Sequence, residues 1–295
     1  MRKITIPPIK CQGIKSKLAG WILEFVKFQK DEKWIEPFMG SGVVGFNLQP
    51  EKALFCDINP HLINFYNSIK DGAITSKIAR EFLEKEGALL KEKGETHFYF
   101  IRERFNETKD SLDFLFLNRA CFNGVMRFNR KGFFNVPFGK KRERFAKAYV
   151  TKICNQIEKV EIATKIFDWQ FVCQDFRQII SDAKQTDWIY CDPPYFGRHI
   201  DYFNSWNETD EKDLFDLLEK TQSKFILSTW HSNQYRNNLE LEKYSKSFEV
   251  VTKEHFYHVG AKELNRNSMT EALVINFPKI KTQTATVSYQ SQLFF

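Results

Sequence analysis

Short apolar runs alternate with helical patterns along two separate stretches of this chain, and that alternation narrows its fold more than any other feature. Near the N-terminus KWIE, closed by Pro and Gly, leads into the helix-like GVVGFNLQ and then into a second extended run, KALFCD. From WQFVCQDF onward the alternation resumes through FRQIISDA, DWIYCD, ETDEKDLFDLLEKTQ and KFILST, and it closes on an extended pair near FEVVTK and EALVINF. Strands separated by single helices predict a mostly parallel sheet with helices on both faces, because a parallel connection needs a crossover to return the chain to the same edge. Ahead of the first strand, KSKLAGWILEFVKFQ reads as an amphipathic helix. Residues 61–159 read as helical, broken by a Gly- and Pro-containing loop. The expected organisation is a discontinuous α/β domain over 1–60 and 160–280, an inserted helical unit over 61–159, and a polar tail over 281–295.

Composition limits the function classes. With 295 residues, 42% hydrophobic and 27% charged, the chain is neither disordered nor a disulfide-stapled miniature. No apolar run approaches the roughly 18 residues of a membrane span, and MRKITIPPIK has no signal-peptide core, so a soluble, cytoplasmic protein is expected. The six cysteines, Cys11, Cys56, Cys121, Cys154, Cys173 and Cys191, contain no C-x-x-C pair, and no metal site is expected. The net charge of +7 permits an anionic partner, and the thirty Phe are read as compositional bias.

Two motifs fall at strand ends. Glu36-Pro37-Phe38-Met39-Gly40-Ser41-Gly42-Val43-Val44-Gly45 contains G-x-G-x-x-G between a strand and a helix, where glycines let the backbone turn tightly and approach a ligand. Asp57 ends the next strand, placed to accept hydrogen bonds from both hydroxyls of a ribose. Asp192-Pro193-Pro194-Tyr195 follows Trp188-Ile189-Tyr190-Cys191. Its two prolines remove N–H donors, leaving the Asp192 carboxylate and the Pro193 carbonyl as clustered acceptors beside an aromatic ring. Such a cluster suits a planar group bearing an NH2. Adenine's exocyclic amine is a poor nucleophile because its lone pair is delocalised, and two acceptors would draw that nitrogen toward a tetrahedral form while Tyr195 stacks on a flipped base.

Positive charge concentrates over 118–147, where Arg119, Arg127, Arg130, Lys131, Lys140, Lys141, Arg142, Arg144 and Lys147 face only Glu143, with Phe residues interleaved. Cations neutralise phosphates, and Asn and Arg read base edges, so Asn118, Arg119, Asn123, Arg127, Asn129, Arg130, Asn135, Pro137, Lys140 and Lys141 are candidate contacts to DNA. The lysines of Lys10-Cys11-Gln12-Gly13-Ile14-Lys15-Ser16-Lys17 oppose the dipole of the helix they precede, and on physics alone a solvated basic face is the simpler reading.

In this order the motifs resemble the Dam-type DNA adenine-N6 methyltransferases, the alpha group of amino methyltransferases, over nearly the whole chain. The N-terminal stretch is similar to K-W-x-G-G-K, with Cys11 for Trp and Ile14 for the second Gly, and Lys15 kept. The resemblance implies a Rossmann-like fold with a helical target-recognition insertion. It also implies S-adenosylmethionine as cofactor, leaving as S-adenosylhomocysteine, held by Cys11, Gly13, Lys15, Glu36, Pro37, Phe38, Gly40, Ser41, Gly42, Asp57, Ile58, Asp175, Phe176 and Asp192. Asp192, Pro193, Pro194 and Tyr195 are the implied catalytic set. NRACFNGVMRFNRKGFFNVPFG looks like the family's recognition segment, with Arg127 in the place of a guanine-reading arginine, implying double-stranded DNA and a GA-containing site. A bacterial, nucleoid-associated setting and a partner restriction endonuclease accompany some members. Gln290-Ser291-Gln292-Leu293-Phe294-Phe295 resembles the peptides that dock on the bacterial sliding clamp.

Three other readings stand beside this one. An RNA exocyclic-amine methyltransferase would share the acceptor cluster but leaves the insertion unexplained. A nicotinamide enzyme fits poorly, because Gly45 and Asp57 lie closer than the roughly 20 residues of a dinucleotide fold. A DNA-binding module without catalysis would not need an intact D-P-P-Y.

Overall fold

The computed structural model of the chain describes residues 3–194, 206–233, 238, 241–258 and 266–278. Tyr195 and the tail motif at 290–295 lie outside them. The described strands are β1 (Lys33–Glu36), β2 (Lys52–Asp57), β3 (Asp168–Cys173), β4 (Trp188–Cys191), β5 (Lys224–Asn233), β6 (Glu249–His258) and β7 (Arg266–Ile275). They form one sheet in the order β3-β2-β1-β4-β5-β7-β6. Pairs from β3 to β5 are parallel, and β7 runs antiparallel between β5 and β6. The strand order reverses between β1 and β4, and at such a switch point the loops leaving the carboxyl ends of the strands diverge and open a crevice.

The helices are α1 (Ala19–Leu23), α2 (Val43–Leu48), α3 (Pro60–Lys70), α4 (Ser76–Lys93), α5 (Glu95–Thr108), α6 (Ser111–Ala120), α7 (Lys147–Ile166), α8 (Phe176–Ser181), α9 (Glu208–Lys220) and α10 (Leu241–Ser247). Local chemistry sets their starts. Asn59 accepts hydrogen bonds from the N–H groups of His61 and Leu62 with Pro60 at the first helical position of α3, and Asn207 and Asp210 form a reciprocal capping box on α9.

Alternate strand residues enter two cores. Ile35, Cys56, Ile189, Phe225 and Leu227 meet α8, α9 and α10 on one face. Trp34, Phe55, Trp169, Phe171 and Tyr190 begin a larger core on the other, which continues without a break through Phe65, Tyr66, Phe98, Phe105, Phe114, Phe116 and Phe134. The abundant Phe thus have a structural use. Phe46 stacks on Trp169 at 5.2 Å, Tyr66 on Phe171 at 5.3 Å and Phe116 on Phe145 at 4.8 Å.

Two expectations change. The N-terminal helix expected over 15–29 shrinks to α1, and ahead of it residues 5–15 run as a strap bonded to α2, α6 and Asp192. The division at 159 falls inside α7, and because α3 and α7 both pack on β3 they belong to the sheet's own core. What projects from that core is α4 to α6 with the loop that follows α6.

Candidate active site and nucleic-acid interface

The carboxyl ends of β1, β2, β3 and β4 deliver Gly40, Asp57, Asp175 and Asp192 to one edge of the sheet. The glycine loop is sewn to β2. Met39 N–H donates to the Cys56 carbonyl at 2.7 Å, and Gly40 N–H donates to Asp57 Oδ2 at 3.0 Å. Gly42 sits at φ +70° as the N-cap of α2, a left-handed conformation that strains any residue with a Cβ. Glu36 lies beneath the loop, where its Oε1 accepts from Trp34 Nε1 at 2.8 Å and Gly45 N–H at 2.7 Å. Burial pushes its carboxyl up to about 8, so the proton stays on through much of the neutral range. Glu36 therefore shapes the loop from below, and Pro37 is buried with it.

Asp57 Oδ1 accepts from Asn59 N–H at 2.9 Å, and with Gly40 and Ile58 the backbone around the carboxylate fixes its orientation at the strand end. Burial raises its pKa. Next to it Ile58 is exposed, an apolar side chain at the mouth of the crevice. Ser41 is buried, and its carbonyl accepts from Tyr66 OH at 3.1 Å. Gly13 lies at φ +74° where the strap turns, and Cys11 and Ile14 pack half-buried against the larger core.

Asp175 caps α8 and pairs with Arg177 at 3.1 Å, which also reaches Asp210 and Asp213. Its carboxylate is thus already engaged. Phe176 lies 5.1 Å from Phe38 and 5.4 Å from Trp206, and Phe38 meets Trp206 edge-on at 5.5 Å. Trp206 was not anticipated as part of this aromatic wall. A Trp placed directly before the N-x-x-D capping box of α9 was its available signal, since such a residue folds back along the first turn, and here its Nε1 donates to Glu211 at 2.8 Å.

Asp192 meets Lys15 Nζ at 2.8 Å, with the lysine side chain 4% and the aspartate 21% exposed. Burial raises the Asp192 pKa and the Lys15 charge opposes the rise. The solvated basic face expected here is wrong for Lys15, which is a buried partner of the acceptor cluster. Pro193 and Pro194 follow Asp192 without pairing into a strand, and Pro193 is buried.

The basic segment divides. Phe128, Phe134 and Phe138 turn inward as anchors, and bridges join Cys121 to Phe138 and Phe128 to Phe134. That leaves Asn123, Asn129, Arg130, Pro137, Lys140 and Lys141 exposed and Arg127 and Asn135 half-exposed on one loop. Arg127 Nε donates to Asn135 Oδ1 at 2.9 Å, which holds the guanidinium against the facing arm of the same loop. Asn118 and Arg119 do not join this surface. They are 0% and 3% exposed, with Asn118 bonded to the Lys10 backbone and Arg119 to the Pro8 carbonyl, Gln156 and Tyr149. Their assignment as DNA contacts is corrected, because both side chains are buried and turned to the strap and to α7, away from the surface that a phosphate or base would reach. Phe122 and Phe133, not among the anticipated contacts, are exposed on the same loop.

A mostly parallel, switch-point sheet with the glycine loop, Asp57 and Asp192-Pro193-Pro194 on one edge is the architecture of a Rossmann-like methyltransferase. Residues 12–259 match the D12 class N6 adenine-specific DNA methyltransferases, and the chain belongs to that family. It is 31% identical over 260 residues to a DNA adenine methylase of Vibrio cholerae, covering 84% of this chain and 88% of that one. To a DNA adenine methylase of Haemophilus influenzae it is 37% identical over 240 residues, with 77% and 79% covered. It is 30% identical over 280 residues to the type II methyltransferase M.FokI of Planomicrobium okeanokoites, spanning 92% of its own length and 42% of that protein's. These are DNA enzymes, and the RNA alternative finds no support among them. Membership implies S-adenosylmethionine as methyl donor. Among the described residues no helix is long and apolar enough to cross a membrane.

Proposed function

We infer that this chain methylates the N6 amine of an adenine flipped out of double-stranded DNA, in a site where a G precedes the A. The observation that carries this reading is the Lys15–Asp192 pair, a buried cation set on the acceptor at the head of D-P-P-Y. The residues present fit the donor: an open glycine loop at Gly40, whose Cβ position meets nothing within 4 Å, is bonded to the backbone-held carboxylate of Asp57 at the end of the next strand. Gly40, Ser41 and Gly42 would cradle the donor's amino-acid end with Cys11 and Gly13. Asp57 would take its ribose, and Ile58, Phe38 and Phe176 its adenine. When bound, S-adenosylmethionine supplies an electrophilic methyl group.

The chain's own residues do the rest. Asp192 and the Pro193 carbonyl accept the two amine hydrogens of the target adenine, localising the nitrogen lone pair, and Tyr195 provides the stacking face. Lys15 keeps Asp192 ionised so that it accepts and does not donate. The recognition unit is α4 to α6 with the loop over 121–146, whose exposed Asn, Arg and Lys side chains contact bases and phosphates.

Arg127→Ala should cost about 1–3 kcal/mol of discrimination for G at one position, roughly 5- to 150-fold, because a bidentate contact to the guanine O6 and N7 is lost. Methylation rates on DNA with each base at that position check it, and unchanged preference would remove Arg127 from the recognition set. The whole reading is tested by single-molecule sequencing of plasmid DNA from a methylation-free host expressing the chain. One motif with modified A after G supports it. Silence at adenine, with S-adenosylmethionine still bound by the purified protein, ends it. A partner restriction endonuclease and docking of the tail on a sliding clamp extend the reading, and clamp binding that survives deletion of the last six residues excludes the latter.

A further inference from the structure

The strap over 5–15 is fastened by two side-chain amides, each acting on both sides of one residue's backbone. Asn47 of α2, 2% exposed, accepts from Thr5 N–H at 2.9 Å and donates to the Thr5 carbonyl at 2.8 Å. Asn118 of α6, fully buried, accepts from Lys10 N–H and donates to the Lys10 carbonyl, both at 2.9 Å. A primary amide presents a donor and an acceptor side by side as a neighbouring strand does, so each Asn replaces one rung of a sheet for a segment that has no strand partner. Between the two clamps Arg119 Nη2 donates to the Pro8 carbonyl and to Gln156 Oε1, and its Nη1 donates to the Tyr149 hydroxyl. Lys159 adds a bond to the Thr5 hydroxyl at 3.2 Å. Contact at Lys10 is tight, since a Cβ added at Gly124 would stand 2.7 Å from Lys10 Cδ.

The placement of the clamps gives them meaning. Asn47 belongs to the helix that leaves the glycine loop, Asn118 sits three residues before Cys121, where the recognition loop begins, and the strap ends on Lys15 at Asp192. We propose that Asn118 and Arg119 are positioning residues: by clamping the strap at Lys10 and Pro8 they hold the Lys15 ammonium on the Asp192 carboxylate, joining the base of the recognition loop to the acceptor that orients the target amine. The inference rests on the reading of Asp192 given above. Without the clamps the chain ahead of α1 would have to find this one conformation at its own entropic cost, and Lys15 would spend much of its time off Asp192.

The sign of the pH effect follows. Asp192 is faced by Lys15 from the strap, Glu36 from β1, Glu271 from β7, Tyr190 and Cys191 from β4, and Cys11. Among them Lys15 is the cation that favours the carboxylate. If Lys15 drifts away, Asp192 holds its proton to higher pH, and the acid limb of the rate profile moves upward.

The test measures single-turnover methyl transfer to duplex DNA, at saturating DNA and S-adenosylmethionine, from about pH 5 to about pH 9. The variants are Asn118→Asp, Asn118→Ala, Lys15→Met and the double change. Asn118→Asp keeps the acceptor and loses the donor. We expect Asn118→Ala to slow transfer roughly 10- to 50-fold with cofactor affinity altered less than about 3-fold. Its acid limb should move up as that of Lys15→Met does, and the double variant should be no slower than Lys15→Met alone. Losses that multiply in the double variant, or a limb that stays in place, overturn the proposal. A second readout does not depend on turnover: acylation of Lys15 by acetic anhydride, read by mass spectrometry, should quicken at least about 5-fold in Asn118→Asp while Lys224 at the far end of the sheet reacts as before. Lys15 protected equally in both proteins overturns the clamp. Failure of the wild-type chain to methylate adenine would instead remove the role given to Asp192, and the acylation result would still read the strap.

Discussion

Asp192→Ala lowers the rate of methyl transfer by at least about 10³-fold, roughly 4 kcal/mol of barrier, while DNA and S-adenosylmethionine bind within a few-fold of wild type. The expectation follows from what the side chain does. In the function proposed above the adenine amine gains nucleophilicity while its hydrogens are held, and this carboxylate is one of the two acceptors assigned to them. Its removal also leaves Lys15 buried without its 2.8 Å partner, so a drop in thermal stability should accompany the loss. Asp192→Asn separates the two effects. It keeps the volume and one acceptor oxygen, so it should stay folded yet transfer slowly, because an amide can present its NH2 to the target amine. Single-turnover rates with calorimetric cofactor binding decide the matter, and a variant of near wild-type rate would remove Asp192 from the chemistry.

The second large effect is structural. Gly45→Ala places a methyl 2.5 Å from a ring carbon of Phe55 and 2.7 Å from Glu36 Oε1, contacts that no Cβ sustains. Phe55 is fully buried and stacks on Phe171 at 5.4 Å, and Glu36 is fixed by Trp34, so neither can retreat. Either α2 lifts off the sheet, breaking the Gly45–Glu36 bond and dragging the loop with it, or the aromatic core opens. The cost should be about 3 kcal/mol, a fall in Tm of roughly 6–12 °C, together with at least a tenfold loss of cofactor affinity. Thermal melts and calorimetry would show both. A variant that melts like the wild type would mean the loop is far softer than its packing implies.

Much of this architecture was legible because strands alternate with period two and helices between parallel strands have to be there. KWIE, KALFCD, WQFVC and DWIYC all became strands whose alternate residues enter opposite cores. Residues at strand ends were legible for a related reason: a carboxylate or glycine just past an apolar run has few other uses. Tertiary partners were not. On physics alone Lys15 reads as surface charge, and although the family resemblance put it at the cofactor, its pairing with Asp192 shows only when the chain brings β4 beside it. Asn118 and Arg119 read as polar neighbours of a basic loop, yet a local signal was present. In SLDFLFLNRA, Phe114, Leu115, Phe116 and Leu117 put an apolar side chain on every side of the helix, which marks it as a buried one, so the polar residues that follow had to satisfy themselves inside the protein. The start of α7 was obscured by lysines dispersed along KAYVTKICNQIEKVEIATKI, which blur the amphipathic period.

The unbroken aromatic core has a consequence for how such an enzyme can acquire a new target. Because Phe98, Phe105 and Phe114 pack in the same cluster as Trp34, Phe55 and Trp169, the helices that carry the recognition loop are not a cassette. Heat should melt them together with the sheet in one cooperative transition. A chimera joined at helix ends would bring two halves of unmatched aromatic cores into contact. On the proposed function, a change of target should be easiest at the outward-facing positions between the Phe128, Phe134 and Phe138 anchors, where a side chain can change without disturbing what lies beneath.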